Sequence, residues 1–472
     1  MAQTSRNRLG DRYSLESRLI ISKLSLKTKI MYGAGDFGFA MTDNMVALLV
    51  AVFLTDVVGL PPYLAAAAVF IGRSWDYIND PIFGYLSDRV RTPWGRRRPF
   101  LILGILPYAL TFTMLWWHPP INSEIGLAAY YALAYALYDS AVTMAMMPYY
   151  ALTPELTDDY DERTALTSYR MVFSILGTFT AFVLPLALIG SMRPENQARI
   201  SSVALLIGLM GALPLLLTFF GTRERAESQA QQKPTFKESL QAARGNRPFV
   251  ITMGIFLFTF TGLEIISALM IYFLKYRVNL EEQSDLIFAV LFVVALFSLP
   301  FWTWISRRWD KRRAYILGMF YLAAIMLMTV MIQPAWGLPA VMVASMLVGI
   351  GFGCVQVLPW AIVPDAVEYD ELSSGKRHEG IYYSLVTLFR KVSVSLAIPL
   401  TLVVLGWTGY VANAETQPPG AILGIILLVG VLPAAFFLIG ALFARKLPIT
   451  RQDFARVRAE LTLRRASEQP EL

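Results

Sequence analysis

The sequence predicts an all-α, polytopic membrane protein with twelve transmembrane helices in two pseudo-symmetric six-helix bundles. Three observations support this fold class. The 472 residues are 56% hydrophobic and only 16% charged, whereas soluble domains carry about 25% charged residues. Apolar stretches of about 20 residues, long enough to cross a hydrocarbon core of ~30 Å, recur along nearly the whole chain. Two sequence motifs also occur once in each half of the chain.

Each predicted span is an apolar stretch interrupted by few charges. The twelve stretches are residues 32–55, 63–87, 100–117, 125–150, 168–190, 201–221, 248–274, 285–305, 314–332, 338–362, 380–408 and 421–444. The second, fourth and eleventh are the most polar of them. A transmembrane β-barrel is disfavoured, because its strands alternate apolar and polar residues over about ten positions.

Basic residues alternate between the two sides of the predicted membrane. Both termini, the loops after the second, fourth, eighth and tenth spans, and the segment between the halves hold 33 of the 41 Lys and Arg residues. Cytoplasmic loops carry such an excess, so we expect a multi-pass plasma (inner) membrane protein with both termini cytoplasmic. This placement accounts for the net charge of +7, so we expect no nucleic-acid partner. The N-terminus lacks the apolar core of a cleaved signal peptide.

A polar segment divides the spans six and six. The predicted organisation is a cytoplasmic N-terminal segment, a six-helix bundle, a linker, a second six-helix bundle and a cytoplasmic tail, at residues 1–31, 32–221, 222–247, 248–444 and 445–472. WGRRR in the first half corresponds to WDKRR in the second, and PYYALTPELTDDY corresponds to PWAIVPDAVEYDE. Parallel internal repeats are typical of transporters, whose binding sites lie near the bilayer midplane between the halves.

Two acidic residues lie within the second span. A charge at the centre of a membrane helix costs roughly 2.5–3.5 kcal/mol, so such residues mark ion or substrate routes. Asp76 and Asp80 are four residues apart and share a helical face, where two bare carboxylates repel each other. A bound Na⁺ or a shared proton would relieve that repulsion, and Asn79 could add an amide oxygen. The alternative is a structural ion pair with Arg73 or Lys391.

Lys391 lies well inside the eleventh span, beside Arg390. It could neutralise the acid pair when no cation is bound, which would couple cation occupancy to the relation of the two halves.

The candidates for substrate binding are Asp43, Arg170, Tyr149, Tyr150, Trp360 and Tyr383. Aromatic rings near charged segments can stack on sugars, although packing is their commoner use. Arg170 could instead form a cytoplasmic gate pair, Asp36 suits gating as well as binding, and Asp139 is a candidate of the same kind as Asp43.

The loop after the second span is rich in glycine and charged residues. Gly84, Asp88, Arg89, Gly95, Arg96 and Arg97 form a pattern that is similar to the G-x-x-x-D-R-x-G-R-R loop motif of the major facilitator superfamily. We expect a cytoplasmic gate, in which Gly84 permits close helix approach and Asp88 pairs with a cation across a helix end in one conformer. The alternative is a basic anchor that only follows the charge rule for cytoplasmic loops.

Several blocks resemble the glycoside–pentoside–hexuronide:cation symporter family, the melibiose permease-like branch of that superfamily. RSWDYINDPIFGYLSD, WGRRRP and EGIYYSLVTLFRK resemble family blocks in the same order, and WD-x-x-NDP is the most specific of them. The resemblance implies a twelve-helix fold and symport of a glycoside with Na⁺, Li⁺ or H⁺. It implies that Asp76 and Asp80 match the family's cation-site carboxylates and that Lys391 matches its lysine in span 11. Ala40 and Met146 stand where the family has sugar-binding acids.

These observations predict a secondary active transporter. It would couple Na⁺ or H⁺ to symport of a sugar or glycoside-like solute by alternating access. The alternative is a cation-coupled symporter of lysophospholipids or other amphiphiles, which apolar cleft walls would favour. No phosphate-binding glycine loop, zinc-ligand spacing or nucleophile elbow occurs, so we expect no enzyme and no cofactor beyond the coupling ion. We expect a monomer in contact with membrane lipid, and Cys354 is expected only to pack.

Overall fold

The structure is a computed structural model that describes residues 24–157, 159–224, 245–374, 379–414, 416–448 and 460. Helices make up nearly all of this part of the chain. In chain order they are α1 (Leu26–Val52), α2 (Pro62–Ser74 and Asp76–Arg89), α3 (Arg98–Leu115), α4 (Glu124–Ala151), α5 (Tyr160–Ile189), α6 (Gln197–Ala212 and Pro214–Gly221), α7 (Arg247–Tyr272), α8 (Ser284–Arg308), α9 (Lys311–Thr329), α10 (Gly337–Ser374), α11 (Glu379–Trp407) and α12 (Pro419–Ile426 and Leu432–Arg445). Short π-helical turns extend α1 and α7 and connect the two parts of α12.

Each predicted span corresponds to one of these helices. Within the described ranges, 10 helices are long and apolar enough to cross a membrane. The other two, α2 and α4, belong to spans that the sequence marks as polar. The two helices that exceed their predicted spans the most are α5, which begins at Tyr160, and α10, which continues to Ser374. Their extra turns are polar, so the apolar pattern that defined the spans could not detect them.

The second helix is interrupted at Trp75, one residue before the first acid of the pair. Trp75 keeps helical backbone angles, and its indole Nε1 donates a hydrogen bond of 2.9 Å to the Ser140 hydroxyl in α4. Pro81 lies inside the second part of the helix and has no N–H to donate to the preceding turn. The acid pair therefore lies in a segment with irregular helical hydrogen bonding, braced against α4.

The helices pack in corresponding pairs in the two halves of the chain. In the first half α1 packs against α5, α2 against α4, and α3 against α6. The corresponding pairs of the second half are α7 with α11, α8 with α10, and α9 with α12. Contacts between the halves follow the same symmetry, because α2 packs against α11 and α5 packs against α8. The repeated motifs thus accompany a repeated arrangement of helices.

Glycine allows α1 to lie very close to two neighbouring helices. A Cβ built at Gly38 would lie 1.9 Å from the carbonyl oxygen of Gly211 in α6. A Cβ at Gly177 in α5 would lie 2.2 Å from the carbonyl oxygen of Phe37. Small residues permit such backbone contacts between membrane helices, where packing rather than the hydrophobic effect drives association. These contacts make α1 an integral part of the first half.

The two sides of the helical bundle differ in charge. We call the side on which α2, α4, α6, α8, α10 and α12 end the basic face, because the loops there carry most of the Lys and Arg residues. The other side, where α1, α3, α5, α7, α9 and α11 end, is called the opposite face.

Candidate functional site

The acid pair of α2 contacts Lys391 of α11, so an ion-pair cluster joins the two halves. The Lys391 ammonium lies 2.7 Å from Asp76 Oδ2 and also forms a salt bridge with Asp80 Oδ2. The exposed fractions of the side chains are 14% for Asp76, 23% for Asp80 and 20% for Lys391. The carboxylates are therefore neither sealed in a dry core nor freely exposed, and an ion could reach them.

Helix α4 supports this part of α2 along two turns. Four side-chain hydrogen bonds connect the helices, and their donor–acceptor pairs are Arg73 Nη1 to Tyr135 Oη (2.6 Å), Trp75 Nε1 to Ser140 Oγ (2.9 Å), Asn79 Nδ2 to Asp139 Oδ2 (3.1 Å) and Thr143 Oγ1 to Asp80 Oδ1 (3.4 Å). Three of the α4 residues are spaced four apart and share one helical face. The acid pair is thus held from the first half, while its cationic partner comes from the second.

The oxygen atoms around the acid pair suit a hard monovalent cation. Asp76 and Asp80 offer carboxylates, Asn79 can offer its amide oxygen, and Thr143 offers a hydroxyl. Hard cations prefer such oxygen ligands. Among the described residues no group of three or more His, Cys, Asp or Glu side chains could hold a metal ion. A cation here would therefore depend on the neutral oxygens as well as on the two acids.

A second polar group lies across the interface between α1, α2 and α7. Arg73 Nη2 lies 3.2 Å from Asp43 Oδ1, and the Asp43 side chain is 53% exposed. The proposed alternative pair of Arg73 with Asp76 is therefore not the ion pair that forms. Glu264 of α7 interacts electrostatically with Arg73, Asp43 and Arg390. Its Oε2 atom is buried and has no hydrogen-bond partner within the described part of the chain.

Sequence reasoning missed Glu264, although a signal was present. It is the one acid in the apolar stretch 248–274, and a charge within a membrane span is by itself grounds for a functional hypothesis. What the sequence did not contain is its surroundings, because the basic partners come from α2 and α11. Glu264, Arg73 and Asp43 together form a half-buried group with charges of both signs.

The Arg170 side chain contacts residues of the first half only, among the contacts described below. Its Nε lies 2.8 Å from Asp36 Oδ2, with little of either side chain exposed. Its guanidinium also lies over the Tyr150 ring, 4.3 Å from the centroid. The pair joins α5 to α1 within one half, and Tyr150 is partly exposed beside it.

The other aromatic candidates differ in accessibility. Tyr149 is fully buried, and its ring stacks on Tyr32 at 4.9 Å between centroids. Trp360 of α10 packs edge-on against Phe256, with centroids 5.0 Å apart, and is half-buried. The side chain of Tyr383 lies outside the described part of the structure. In this conformation Tyr149 has no free ring face for a solute, whereas Trp360 and Tyr150 keep part of theirs.

The arginines of the loop after α2 pair within the first half. Arg96 Nη2 lies 2.7 Å from Glu155 Oε1, and Arg97 Nε lies 3.3 Å from the same atom. The second half repeats this arrangement, because Lys311 of the WDKRR motif lies 2.6 Å from Asp365. Each basic motif therefore pairs with an acid in the other repeated motif of its own half, which lies just after α4 in the first half and within α10 in the second.

Glu224, which follows α6, also holds this loop. The Glu224 carboxylate accepts hydrogen bonds from the backbone N–H groups of Arg96, Arg97 and Arg98, at 2.6, 2.8 and 2.9 Å. A carboxylate satisfies the free N–H groups at a helix N-terminus and interacts favourably with the helix dipole. Gly95 has φ +105°, and a Cβ there would lie 2.4 Å from Glu224 Cδ. Only glycine fits both the backbone angle and the space.

The other three members of the motif, Gly84, Asp88 and Arg89, lie in the second part of α2. Among the described residues, no atom lies within 4 Å of a Cβ built at Gly84, so this glycine does not serve close approach to a described helix in this conformation. Arg89 lies over the Tyr85 ring of its own helix, 4.0 Å from the centroid. The side chain of Asp88 lies outside the described residues, so its pairing across a helix end stays a prediction.

Replacing Gly95 by Ala should destabilise the basic face. The new Cβ would displace the Glu224 carboxylate, and the positive φ adds strain on the order of 1–3 kcal/mol. We expect a lower melting temperature of the purified protein, measured by tryptophan fluorescence in detergent. Gly84→Ala is the matched control, since open space surrounds that position. Equal melting temperatures for the two variants would contradict this view of Gly95.

A second cluster joins the halves at the opposite face, and it was not predicted. We call it the opposite-face cluster; its members are Asp56, Lys275, Tyr276, Tyr410 and Asn413. The Asp56 carboxylate, fully buried at the end of α1, accepts hydrogen bonds from Lys275 Nζ at 2.5 Å and Tyr276 Oη at 2.6 Å. Tyr410 Oη also donates to this carboxylate, and Asn413 Nδ2 donates to the Asp56 carbonyl.

Further contacts between the halves surround the opposite-face cluster. The hydroxyl groups of Thr55 and Tyr272 lie 2.7 Å apart, and the backbone N–H of Met192 donates to Glu281 Oε1 at 2.8 Å. The rings of Phe182 in α5 and Phe292 in α8 pack with their centroids 4.5 Å apart and their planes tilted by 51°. The structure is therefore closed at the opposite face.

A small apolar cavity of about 30 Å³ lies between α5 and the second half. Its walls come from α7, α8, α9, α10 and α12, and Phe182 of α5 closes one side. Ser267 is the one polar residue in the lining. On α7 the lining residues Leu263 and Ser267 flank Glu264, which belongs to the second polar group. The cavity and that polar group therefore adjoin along one helix.

Comparison with known proteins gives consistent results. The sequence profile described as MFS/sugar transport protein matches residues 31–451. An uncharacterized symporter of Synechocystis sp. is 30% identical, covering 95% of this chain and 99% of the relative. A sodium-dependent lysophosphatidylcholine symporter of Danio rerio is 27% identical, covering 95% and 91%. A crystal structure of a nucleoside transporter superposes with TM-score 0.65 at 14% identity, covering 90% of this chain and 100% of that chain. The predicted all-α fold of the major facilitator type, with twelve helices, is confirmed.

Proposed function

Because the chain belongs to the MFS/sugar transport protein family, and is a membrane transporter rather than an enzyme, we propose that it moves an amphiphilic solute by symport with Na⁺ or H⁺. One observation carries the coupling: Lys391 of the second half pairs with Asp76 and Asp80 of the first. Relatives include sodium-dependent symporters, which supports a coupling ion.

A cation at the acid pair would compete with the Lys391 ammonium. The two carboxylates carry two negative charges, so a monovalent cation can take the place of the ammonium without changing the net charge of the cluster. Displacing Lys391 Nζ removes an attraction between α2 and α11, which are the helices that connect the halves at this level. A ligand shifts a conformational equilibrium only if it binds the two states differently. The shared lysine supplies that difference, because it can reach the acids only in some arrangements of the halves.

The surroundings of α7 favour an amphiphile as the solute. The apolar lining of the cavity matches an acyl chain in polarity, and the cavity must widen from about 30 Å³ in another conformer to hold one. The adjoining group of Arg73, Asp43 and Glu264 offers charges of both signs for a zwitterionic headgroup. Burying each methylene of such a chain contributes about 0.8 kcal/mol. The lysophosphatidylcholine symporters among the relatives handle a solute of this kind.

A sugar is the second candidate, and the description of the matched family favours it. Binding a sugar would need polar groups and accessible aromatic ring faces. The rings of Tyr150 and Trp360 retain some exposed surface. The fully buried Tyr149, and the absence of acids at Ala40 and Met146, weigh against it.

We further propose that the basic face is cytoplasmic. The excess of Lys and Arg in its loops supports this orientation. The opposite face would then be extracellular, and its closure would make this conformation inward-facing. The division into two bundles, with the 222–247 segment as their linker, is part of the same proposal, since alternating access needs two halves that move against each other.

Uptake by proteoliposomes tests this function. We expect an imposed Na⁺ or proton gradient to drive accumulation of lysophosphatidylcholine, and a gradient-free control to show equilibration only. Radiolabelled glycosides are tested in parallel. Accumulation of a glycoside without lysophospholipid uptake would show that the transported solute is a sugar rather than an amphiphile. No gradient-driven uptake of either class would contradict cation-coupled symport of both candidate solutes.

Filling the apolar cavity should select against long acyl chains. Ser267→Phe places a ring where the chain would lie, and displacing two methylenes at about 0.8 kcal/mol each weakens binding roughly tenfold. We expect this loss for lysophosphatidylcholines with long chains and a smaller one for short chains, measured as competition against labelled uptake. Ser267→Ala, which enlarges the cavity, serves as the matched control. If Ser267→Phe bound long-chain and short-chain lysophosphatidylcholines with equal affinity, the cavity would not be the binding site of the acyl chain.

A further inference from the structure

Four basic side chains lie together at one corner of the basic face, where α8 and α12 end and α9 begins. We call this group the α9 corner; its members are Arg308, Arg313, Arg445 and Lys446. All four residues are exposed. Only two residues separate α8 from α9, and Arg312 Nη1 connects α9 to the end of α12 through a hydrogen bond of 2.8 Å to the Leu447 carbonyl. The four cations therefore belong to one surface.

The charge of the α9 corner is not balanced within the part of the chain that the structure describes. None of its four members forms a salt bridge with a described residue. Two acids of the neighbouring turns have other partners. Asp365 pairs with Lys311, and the Asp310 carboxylate caps α9 by accepting a hydrogen bond from the backbone N–H of Arg312. The α9 corner thus presents its positive charges to whatever surrounds the protein there.

The corresponding corner of the first half contains an acid. There Glu224, just after α6, accepts hydrogen bonds from the backbone N–H groups at the start of α3. The residues that follow α12 are Lys446, Leu447 and Pro448, and none of them is acidic. The repeated fold therefore does not require an unbalanced corner. The excess of positive charge is a property of the second half, and it points to an anionic partner outside the chain.

Lipid-facing aromatic rings adjoin these cations. The Arg308 guanidinium lies over the Trp304 ring, 5.7 Å from the centroid, and the Arg445 guanidinium lies over the Phe320 ring at 5.5 Å. These rings belong to residues that are 56% and 43% exposed, as expected for side chains that face lipid. Exposed apolar side chains continue this surface along α9 and α12, at Leu317 and Leu442. The partner must therefore bring negative charge to the edge of an apolar surface.

We propose that the α9 corner binds the headgroup of an anionic phospholipid from the membrane leaflet at the basic face. The guanidinium groups of Arg308, Arg313 and Arg445 suit a phosphate, which they bind through paired hydrogen bonds. The acyl chains lie against the apolar surface of α9 and α12. Each Lys or Arg near an anionic lipid surface strengthens binding about fivefold. The inference concerns a bound membrane lipid, so it goes beyond the proposed transport and does not depend on the solute.

The double variant Arg313→Gln with Arg445→Gln tests this site. It removes two of the four charges, so we expect the affinity for phosphatidylglycerol to fall about 25-fold. The measurement is native mass spectrometry of the purified full-length protein in neutral detergent, in which the fraction of protein carrying one lipid is followed during titration. Phosphatidylcholine has no net charge and should bind the parent and the variant equally. An unchanged affinity for phosphatidylglycerol in the double variant would overturn the proposal.

A matched control separates a site from a general effect of charge. Arg223→Gln with Arg247→Gln also removes two exposed cations from the basic face, beside α6 and α7, and should leave the affinity for phosphatidylglycerol unchanged. Equal losses in the two double variants would show that the lipid responds only to the overall charge, and would overturn the site. If the first double variant does not fold, Arg313→Gln alone should lose about fivefold and carries the test.

Competition with lysophosphatidylcholine distinguishes the α9 corner from the transport pathway. An excess of this solute should not displace phosphatidylglycerol, because the α9 corner lies on the outer surface of the bundle. Displacement would place phosphatidylglycerol in the solute pathway and overturn its assignment to the α9 corner. A failure of gradient-driven uptake would contradict only the proposed symport, since lipid binding here needs no transport.

Discussion

Asp76→Asn and Asp80→Asn should each abolish cation-driven accumulation of the solute while the protein still inserts and folds. Each change removes one of the two charges that a cation would neutralise, and it leaves Lys391 as a sufficient partner for the remaining acid. Couplings between cation and solute typically amount to 1–3 kcal/mol, so we expect accumulation to fall by up to roughly 100-fold. The measurement is gradient-driven uptake in proteoliposomes, normalised to reconstituted protein.

Two comparisons make this result specific. Asp285→Asn changes the charge equally at the start of α8, where Asp285 bonds only its own helix among the described contacts, and should leave uptake unchanged. Solute exchange without a gradient should persist in both α2 variants, because it needs solute binding and conformational change but no net cation flux. Normal gradient-driven accumulation in both Asp76→Asn and Asp80→Asn would remove the coupling mechanism.

Lys275→Ala should shift the protein towards conformers that are open at the opposite face. The change leaves the Asp56 carboxylate fully buried without its cation. Removing one partner of a buried ion pair typically destabilises a structure by about 3–5 kcal/mol. If Asp56 becomes hydrated on opening, only the closed state is destabilised. The closed population should therefore fall by a factor on the order of 10²–10³ relative to the open one.

Cysteine labelling measures this shift. The chain has a single cysteine, Cys354, which is buried, so an introduced thiol can be followed against little background. Thr55→Cys places a fully buried reporter beside Asp56. We expect a membrane-impermeant maleimide to label it much faster in the Lys275→Ala background. Arg277→Ala removes a cation of the same face from outside the opposite-face cluster and should not accelerate labelling. Equal rates in all three backgrounds would contradict a closing role for the cluster.

The spans were predictable from local composition. A hydrocarbon core demands about 20 apolar residues per helix wherever the helix packs, so the stretches in the sequence correspond closely to the helices. The predicted boundaries are wrong where a helix continues beyond the hydrocarbon core, as in the polar first turns of α5 and the last turns of α10. In α2 the interruption at Trp75 depends on the contact with Ser140 in α4, which no local pattern contains.

The candidate site was predictable only in part. The spacing of Asp76 and Asp80 already implies a shared helical face, and a lysine within a span already implies a buried acidic partner. The partners of Arg73 and Arg170 were not predictable, because ion pairs with Asp43 and Asp36 depend on how α1 packs against α2 and α5. Glu264 and Asp56 stood as charges within or beside spans, and their significance emerged only from neighbours more than a hundred residues away in sequence.

The sequence by itself determined the positions of the membrane-spanning helices, the repeated motifs and the pair of acids on one helical face. These features follow from hydropathy, charge placement and helical periodicity, which are local properties. Tertiary structure alone decided that Lys391 lies between the acids, that α4 supplies Tyr135, Asp139 and Thr143 to support α2, and that the opposite face is closed. The physical reason is that electrostatic partners in a membrane protein are chosen by distance across packed helices, and sequence separation carries no information about that distance.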